Sequence, residues 1–84
     1  RAQKWSPERL LGWGASIGHA THQVVTLLLQ SRAHPEQAYR SCLGLLSLSR
    51  KYSEQRLEQA CCDALLVQKI HYQFIKNLLL NFHH

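Results

Sequence analysis

The chain has 84 residues, enough for one domain with a single modest hydrophobic core and too few for most self-contained enzymes. Its composition, 45% hydrophobic and 18% charged with 4 Gly and 2 Pro, is that of a globular protein and argues against wholesale disorder. Ten Lys and Arg against five Asp and Glu leave a formal charge of +5, which favours an acidic partner such as nucleic acid, anionic lipid or an acidic protein. Because these cations are scattered, a solvated surface with a mild basic bias is the alternative interpretation.

The chain contains no Met and begins with Arg1. A natural reading frame starts with Met, so we expect the sequence to be a piece of a longer protein. The pair His83-His84 resembles the start of a purification tag and supports no site prediction.

The cysteines and the hydropathy pattern indicate the cellular compartment in which the protein is found. Cys61 and Cys62 are adjacent, which strains a bridge between them, and Cys42 stands alone. We therefore expect reduced thiols in an intracellular, cytoplasmic protein. No stretch approaches the roughly 18 apolar residues of a membrane span, so no membrane partner and no secretory signal are predicted.

Helical periodicity recurs along the chain, and strand-like alternation is not sustained in any segment. Ser6-Pro7-Glu8 predicts a first helix with a capping hydroxyl, Pro at the first helical position and an acid in the first turn. Gly18 is placed to end this helix. Gly12 and Gly14 weaken it, so we expect close packing at these positions. The predicted buried face contains Leu10, Trp13 and Ile17.

Two further helices follow. The second is predicted over residues 20–31, and His34-Pro35-Glu36 opens the third, again with Pro in the first turn. The predicted buried arc of the second helix contains Thr21, Val24, Val25, Leu27, Leu28 and Leu29. The predicted core stripe of the third contains Ala38, Tyr39, Cys42, Leu43, Leu45 and Leu46.

Ser53 is predicted to cap a fourth helix with Glu54 in its first turn, and a fifth helix is predicted over residues 72–82. The inward residues of the fourth helix are Leu57, Ala60, Cys61, Ala64 and Leu65. Its small side chains indicate close approach to a neighbour, for which the third helix is the candidate. The inward residues of the fifth helix are Phe74, Ile75, Leu78, Leu79 and Phe82.

Short connections make successive helices pack as neighbours, mostly as antiparallel hairpins. The predicted fold class is therefore all-α, a compact array of about five short helices that forms a single domain over residues 1–84.

Candidate catalytic groups are few. The five acids fall at helix starts or on outer faces, and Glu54 and Glu58, one turn apart, are explained by first-turn electrostatics and by Arg56. His19 and His22 have a chelating spacing, but they share the polar side of their helix and no third ligand is placed by the sequence. The sequence thus predicts neither a catalytic site nor a metal site.

One surface stands out on the third helix. Arg40, Gly44, Ser47 and Lys51 follow one another at helical spacing opposite the core stripe, and Arg50 lies beside them. We call these five residues the basic strip. Gly44 would allow a partner's backbone to approach closely, and phosphates or an acidic helix could lie against the strip. Ordinary exposed cations are the alternative interpretation.

One block is distinctive. It reads His34-Pro35-Glu36-Gln37-Ala38-Tyr39-Arg40-Ser41-Cys42-Leu43-Gly44, and Lys51-Tyr52 and Arg56-Leu57-Glu58-Gln59-Ala60-Cys61 follow it. These residues resemble the C-terminal segment of IstA-type insertion-sequence transposases, a family that works with an AAA+ ATPase helper called IstB. Similarity extends over roughly residues 4 to 80, through Trp5-Ser6-Pro7-Glu8-Arg9, Ile17-Gly18, Tyr72, Ile75, Lys76, Asn77 and Leu79.

The resemblance implies a C-terminal fragment of a longer, metal-dependent bacterial DNA transposase. The family's integrase-like domain with its Asp/Asp/Glu metal site, and its N-terminal helix-turn-helix region, would lie elsewhere in that protein. No residue of this chain matches the catalytic motif, so a non-catalytic module without a cofactor is expected.

Three roles remain open for the module. The first is assembly of the transposase oligomer or docking of the helper ATPase. The second is accessory contact with transposon-end DNA through the basic strip. The third, unrelated to transposition, is a helical-pair adaptor, which the turn at Lys51-Tyr52 followed by Arg56-Leu57-Glu58 also resembles.

Overall fold

A computed structural model of the protein describes residues 6–31 and 34–81. These residues form five α-helices and no strand: α1 (Pro7–Ile17), α2 (His19–Ser31), α3 (Pro35–Lys51), α4 (Glu54–Val67) and α5 (Tyr72–Asn81). Each helix contacts the next one along the chain. The predicted all-α array of about five helices is confirmed, although Phe82, assigned to the fifth helix, lies outside the described residues.

The helix starts follow the capping signals of the sequence. The Ser6 hydroxyl accepts a hydrogen bond from the Arg9 amide at 3.3 Å, and the Ser53 hydroxyl accepts one from the Arg56 amide at 3.1 Å. Pro occupies the first turn of both α1 and α3. His34 precedes α3 without a side-chain capping bond. These contacts are local in sequence, which is why they could be predicted.

One hydrophobic core receives side chains from all five helices. Its fully covered large aliphatic side chains are Leu10, Val24, Val25, Leu28, Leu45, Leu46, Leu57 and Ile75. Removing each of them from water contributes on the order of 1.5–3 kcal/mol before the entropic cost of ordering the chain. The predicted buried faces are confirmed with one exception, Leu27, which is 36% exposed because it lies beyond the edge of the α2 arc that is centred on Val24 and Leu28.

The sequence predicts that the small residues of α4 allow close approach to α3, but the structure shows that this is not their main role. α4 packs more extensively against α2 than against α3. The Cys61 side chain interacts with the Thr21 side chain of α2, whereas Ala60 lines a groove with Leu78 and Leu79 of α5. α4 therefore lies between two partners, and its small side chains are divided between them.

Glu58 joins α4 to the first turn of α2. Its carboxylate accepts hydrogen bonds from the Ala20 amide at 2.8 Å, the Thr21 amide at 2.9 Å and the Thr21 hydroxyl at 2.8 Å. Amides in the first turn of a helix have no partner within the helix, and the helix dipole favours negative charge there. Glu58 is thus the cap of a helix that lies 37–38 residues away in sequence, not an outer-face acid as predicted.

Gly18 makes room for this carboxylate. It ends α1 as predicted, but with φ 172° and ψ 170°, an extended conformation that any residue adopts. A Cβ at this position would collide with the Glu58 carboxyl group. The space taken by Glu58, rather than a left-handed turn, therefore explains the glycine between α1 and α2.

The environment of Glu58 affects its protonation. Burial alone raises the pKa of the carboxyl group, but the bonds from Ala20 and Thr21, together with the nearby His19, outweigh it and hold the pKa below its ordinary value of 4.5. A lowered folded-state pKa adds stability above the unfolded-state pKa. That contribution is lost as the pH falls through the folded-state value.

We predict that Glu58→Ala lowers the free energy of unfolding by about 1–3 kcal/mol, because two amides and one hydroxyl lose a charged acceptor. Urea denaturation followed by circular dichroism measures the change. Glu54→Ala, which removes an exposed acid from the same helix, is the control and should cost less than about 1 kcal/mol. The difference between wild type and Glu58→Ala should shrink below pH 4.5. Equal losses in both variants, or a gap that does not change with pH, would contradict the capping role.

Two glycines of α1 differ in their surroundings. A Cβ at Gly14 would lie 3.3 Å from the His22 Cα atom and 3.3 Å from the Val25 Cγ2 atom, whereas a Cβ at Gly12 would meet nothing within 4 Å. Close packing of α1 on α2 thus explains Gly14 but not Gly12. The predicted close packing is therefore confirmed at Gly14 and is not found at Gly12.

We therefore predict opposite signs for the two alanine substitutions. Gly12→Ala should stabilise the protein by about 0.5–1 kcal/mol through helix propensity. Gly14→Ala should destabilise it, because the backbone of α2 would have to move away. Thermal unfolding of both variants beside wild type measures the signs, and stabilisation by Gly14→Ala would be inconsistent with the packing described.

Candidate interaction surface on α3

The basic strip lies on α3 but does not form one uniform surface. Arg40, Ser47, Arg50 and Lys51 are exposed, and Gly44 is half-buried. Arg40, Ser47 and Lys51, which we call the α3 ridge, face away from the core. At 1.5 Å per residue the ridge is about 16 Å long. A groove runs along each side of it, one toward α5 and one toward α1.

The groove toward α5 is lined by Gln37, Arg40, Ser41, Gly44 and Tyr72. A Cβ at Gly44 would lie 3.2 Å from the Tyr72 Cε1 atom, so the ring of α5 already occupies the space beside this glycine. The close approach expected at Gly44 is therefore made within the chain. The Lys76 amine lies 6.0 Å from the centre of the same ring and adds a cation near this groove.

The groove toward α1 contains residues that the sequence did not assign to the surface. Arg9, Gly12 and Trp13 of α1 line it together with Leu43, Ser47 and Arg50 of α3. The Arg50 guanidinium lies 5.1 Å from the centre of the Trp13 ring, within the range of a cation–π contact. The periodicity had assigned Trp13 to the core face, and it is half-buried against the core with its ring beside Arg50.

The ridge ends at a second group of cations around an aromatic ring. The Lys51 amine and the Arg56 guanidinium both lie 5.7 Å from the centre of the Tyr52 ring. Tyr52 is half-buried and follows the last residue of α3. A cation of α3 and a cation of α4 thus lie beside the same ring.

Charges are segregated among the helices. Three of the five acids, Glu54, Glu58 and Asp63, belong to α4. Of the other two, Glu8 and Glu36 lie in the first turns of α1 and α3, where the helix dipole favours a negative charge. After Glu36, α3 carries only cations, although Glu36 lies one turn before Arg40 and lines a surface pocket with it.

The side chains considered as metal ligands do not form a metal site within the described residues. In residues 6–31 and 34–81, no three His, Cys, Asp or Glu side chains are placed to hold a metal ion. Within the same ranges, no helix is long and apolar enough to cross a bilayer.

All three cysteines are reduced thiols. Cys42 and Cys61 are buried and Cys62 is exposed, as the helical pattern predicts. Burial raises the pKa of the Cys61 thiol to about 12, and the charges of Glu58 and Cys62 add to this while the bond with Thr21 opposes it. Cys61 is therefore a poor nucleophile in the folded protein.

Several longer proteins contain a segment that is similar in sequence to this chain. The chain is 56% identical over 64 residues to a protein of Burkholderia multivorans described as a transposase for insertion sequence IS408, covering 76% of the chain. It is 46% identical over 77 residues to one of Pseudomonas fluorescens described as a transposase for insertion sequence IS1162, covering 92% of the chain. It is 37% identical over 79 residues to the transposase y4uI of Sinorhizobium fredii, covering 94%.

The chain is homologous to a segment of insertion-sequence transposases. It spans only 12%, 14% and 15% of the lengths of these three relatives. No family model and no solved structure matches the chain. The relatives support the transposase interpretation over that of an unrelated helical-pair adaptor.

We predict that a thiol reagent at neutral pH modifies one cysteine of the folded chain rapidly and all three after unfolding. The exposed Cys62 is the reactive group, because Cys42 and Cys61 are buried. Colorimetric counting of released thiolate measures the stoichiometry, and Cys62→Ser should abolish the rapid phase. A second rapid thiol in the folded protein would contradict the packing around Cys61.

Proposed function

We propose that the chain is a non-catalytic helical module of an insertion-sequence transposase of the IstA type, and that it holds protein subunits of the transposition complex together. The partner is another transposase subunit or the AAA+ helper ATPase. The observation that carries this proposal is the match itself: nearly the whole five-helix unit aligns with a small part of much longer transposases. The IstA type and its helper rest on the resemblance of the block at residues 34–44.

The apolar surface supports a protein contact. Four large apolar side chains of the described residues are exposed: Leu27, Leu66, Val67 and Leu80. Leu66 is 78% exposed and Val67 is 55% exposed, and they are adjacent at the end of α4, before Gln68 turns the chain with a φ of 61°. Covering apolar surface contributes roughly 25 cal/mol per Å², so this end of α4 gains stability from a partner.

A shallow groove begins at the residue that follows α4. Leu27 of α2 lies in this groove with Ile70 and with Gln68, which directly follows Val67. The groove opens on a different part of the molecule from the α3 ridge, since its lining contains no residue of α1 or α3. We call Leu66 and Val67 the α4 end, and we assign the subunit contact to it.

The test uses the double variant Leu66→Ser/Val67→Ser in the 84-residue chain and in the parent transposase. Sedimentation measures self-association, and a pull-down with the purified helper ATPase measures docking. We expect wild type to show at least one of these two associations. The affinity of that association should fall roughly tenfold or more in the double variant. Leu80→Ser, which removes an apolar side chain that is 44% exposed on α5, is the matched control.

The double variant and the control both change surface residues. Their free energies of unfolding should therefore differ from that of wild type by less than about 0.5 kcal/mol, which urea denaturation checks. Wild-type chain that associates with neither partner, or equal binding by wild type and the double variant, would refute the proposal. Strand cleavage or joining by the purified chain in the presence of Mg²⁺ would refute its non-catalytic part.

A further inference from the structure

We propose that the exposed face of α3, consisting of the α3 ridge and its two grooves, binds the phosphate backbone of duplex DNA. This is a second interaction surface and goes beyond the subunit contact assigned to the α4 end.

Cations from three helices meet on this face. α3 supplies Arg40, Arg50 and Lys51, α1 supplies Arg9 in one groove, and α5 supplies Lys76 beside the other. Three of the acids lie on α4 and Glu8 lies in the first turn of α1, whereas Glu36 lies one turn before Arg40 and lines the same surface pocket. The C-terminal end of α3 carries Arg50 and Lys51 and no acid. A surface of this kind attracts a polyanion before any specific contact forms.

The spacing of the ridge selects an extended anion. Arg40 and Lys51 are about 16 Å apart along the helix axis, which exceeds the Debye length of roughly 8 Å at physiological ionic strength. The two cations therefore cannot act together on one compact anion. Duplex DNA carries a negative charge per about 1.7 Å of its axis, so each end of the ridge meets a phosphate of its own.

Aromatic rings hold the cations in place. The Trp13 ring lies 5.1 Å from the Arg50 guanidinium, and the Tyr52 ring lies 5.7 Å from the Lys51 amine. Both charged side chains are nevertheless exposed. Positioning them before binding reduces the entropy lost when they contact phosphates. Ser47, exposed at the middle of the ridge, adds a hydroxyl that can donate to a phosphate oxygen.

An acidic protein fits this face less well than DNA. Protein interfaces have an apolar centre, whereas protein–DNA interfaces are more polar and much more positive. None of the exposed large apolar side chains of the described residues belongs to α1 or α3, since Leu27 lies on α2, Leu66 and Val67 on α4, and Leu80 on α5. The face therefore offers exposed charge and a hydroxyl group, whereas its apolar side chains, Trp13, Leu43 and Tyr72, are half-buried in the grooves.

The test compares two charge reversals that differ only in location. Lys51→Glu lies at the end of the ridge, and Lys69→Glu lies between α4 and α5. Both lysines are exposed, and each lies beside a ring, 5.7 Å from Tyr52 and 5.5 Å from Phe74. Fluorescence anisotropy of a labelled 20-base-pair duplex of arbitrary sequence, titrated with the 84-residue chain at several salt concentrations, measures binding.

We expect wild type to bind with an affinity that falls steeply with salt, Lys51→Glu to bind roughly tenfold more weakly, and Lys69→Glu to lose at most about twofold to threefold. The salt slope of Lys51→Glu should decrease by about one unit for the phosphate contact that is lost. Arg40→Glu, at the other end of the ridge, should behave like Lys51→Glu.

Lys51→Gln provides a variant that removes the charge without reversing it at the end of α3, in case the reversal disturbs the helix. Absence of duplex binding by wild type at low salt, or equal weakening by the Lys51 and Lys69 reversals, would overturn the proposal. Tighter binding to polyglutamate than to the duplex would do so too, and would assign the face to an acidic protein. Subunit association through the α4 end is measured separately, so either proposal can fail without the other.

Discussion

The bond between the Glu58 carboxylate and the first turn of α2 is the constraint on which the arrangement of the helices depends. α2 follows α1 after a single residue, Gly18, so the chain before it offers no capping side chain. Glu58 supplies the missing acceptor for the amides of Ala20 and Thr21 from α4. Because Glu58 reaches this position, α4 packs against the start of α2, and α2 is enclosed by α1, α3 and α4.

Enclosing α2 determines which surfaces remain free. α3 turns its apolar side toward the core, and α1 and α5 pack along its two flanks. The ridge of Arg40, Ser47 and Lys51 is consequently exposed between them. The exposed apolar side chains Leu66 and Val67 lie on α4 instead. Charge and apolar area are thus separated on the molecule, which is why a DNA contact and a subunit contact can be assigned to different surfaces.

Most of the fold could be predicted from the sequence, whereas the candidate surface could be predicted only in part. The basic strip named three residues that form the ridge, but it also included Gly44, whose space is occupied by Tyr72 from α5. Trp13 was assigned only to a core face, although its ring also lies beside Arg50. Both contacts are made between helices, and the period of a single helix does not contain them.

The sequence by itself determined the five helices, the caps at Ser6 and Ser53 and nearly all of the buried faces. These follow from contacts within a few residues, such as Ser6 with Arg9 and Ser53 with Arg56, and from the 3.6-residue period of apolar side chains. Only the tertiary structure decided that Glu58 caps α2 and that Gly18 provides its space. Such pairs lie far apart in sequence, and their residue types alone do not distinguish a capping carboxylate from a solvated one.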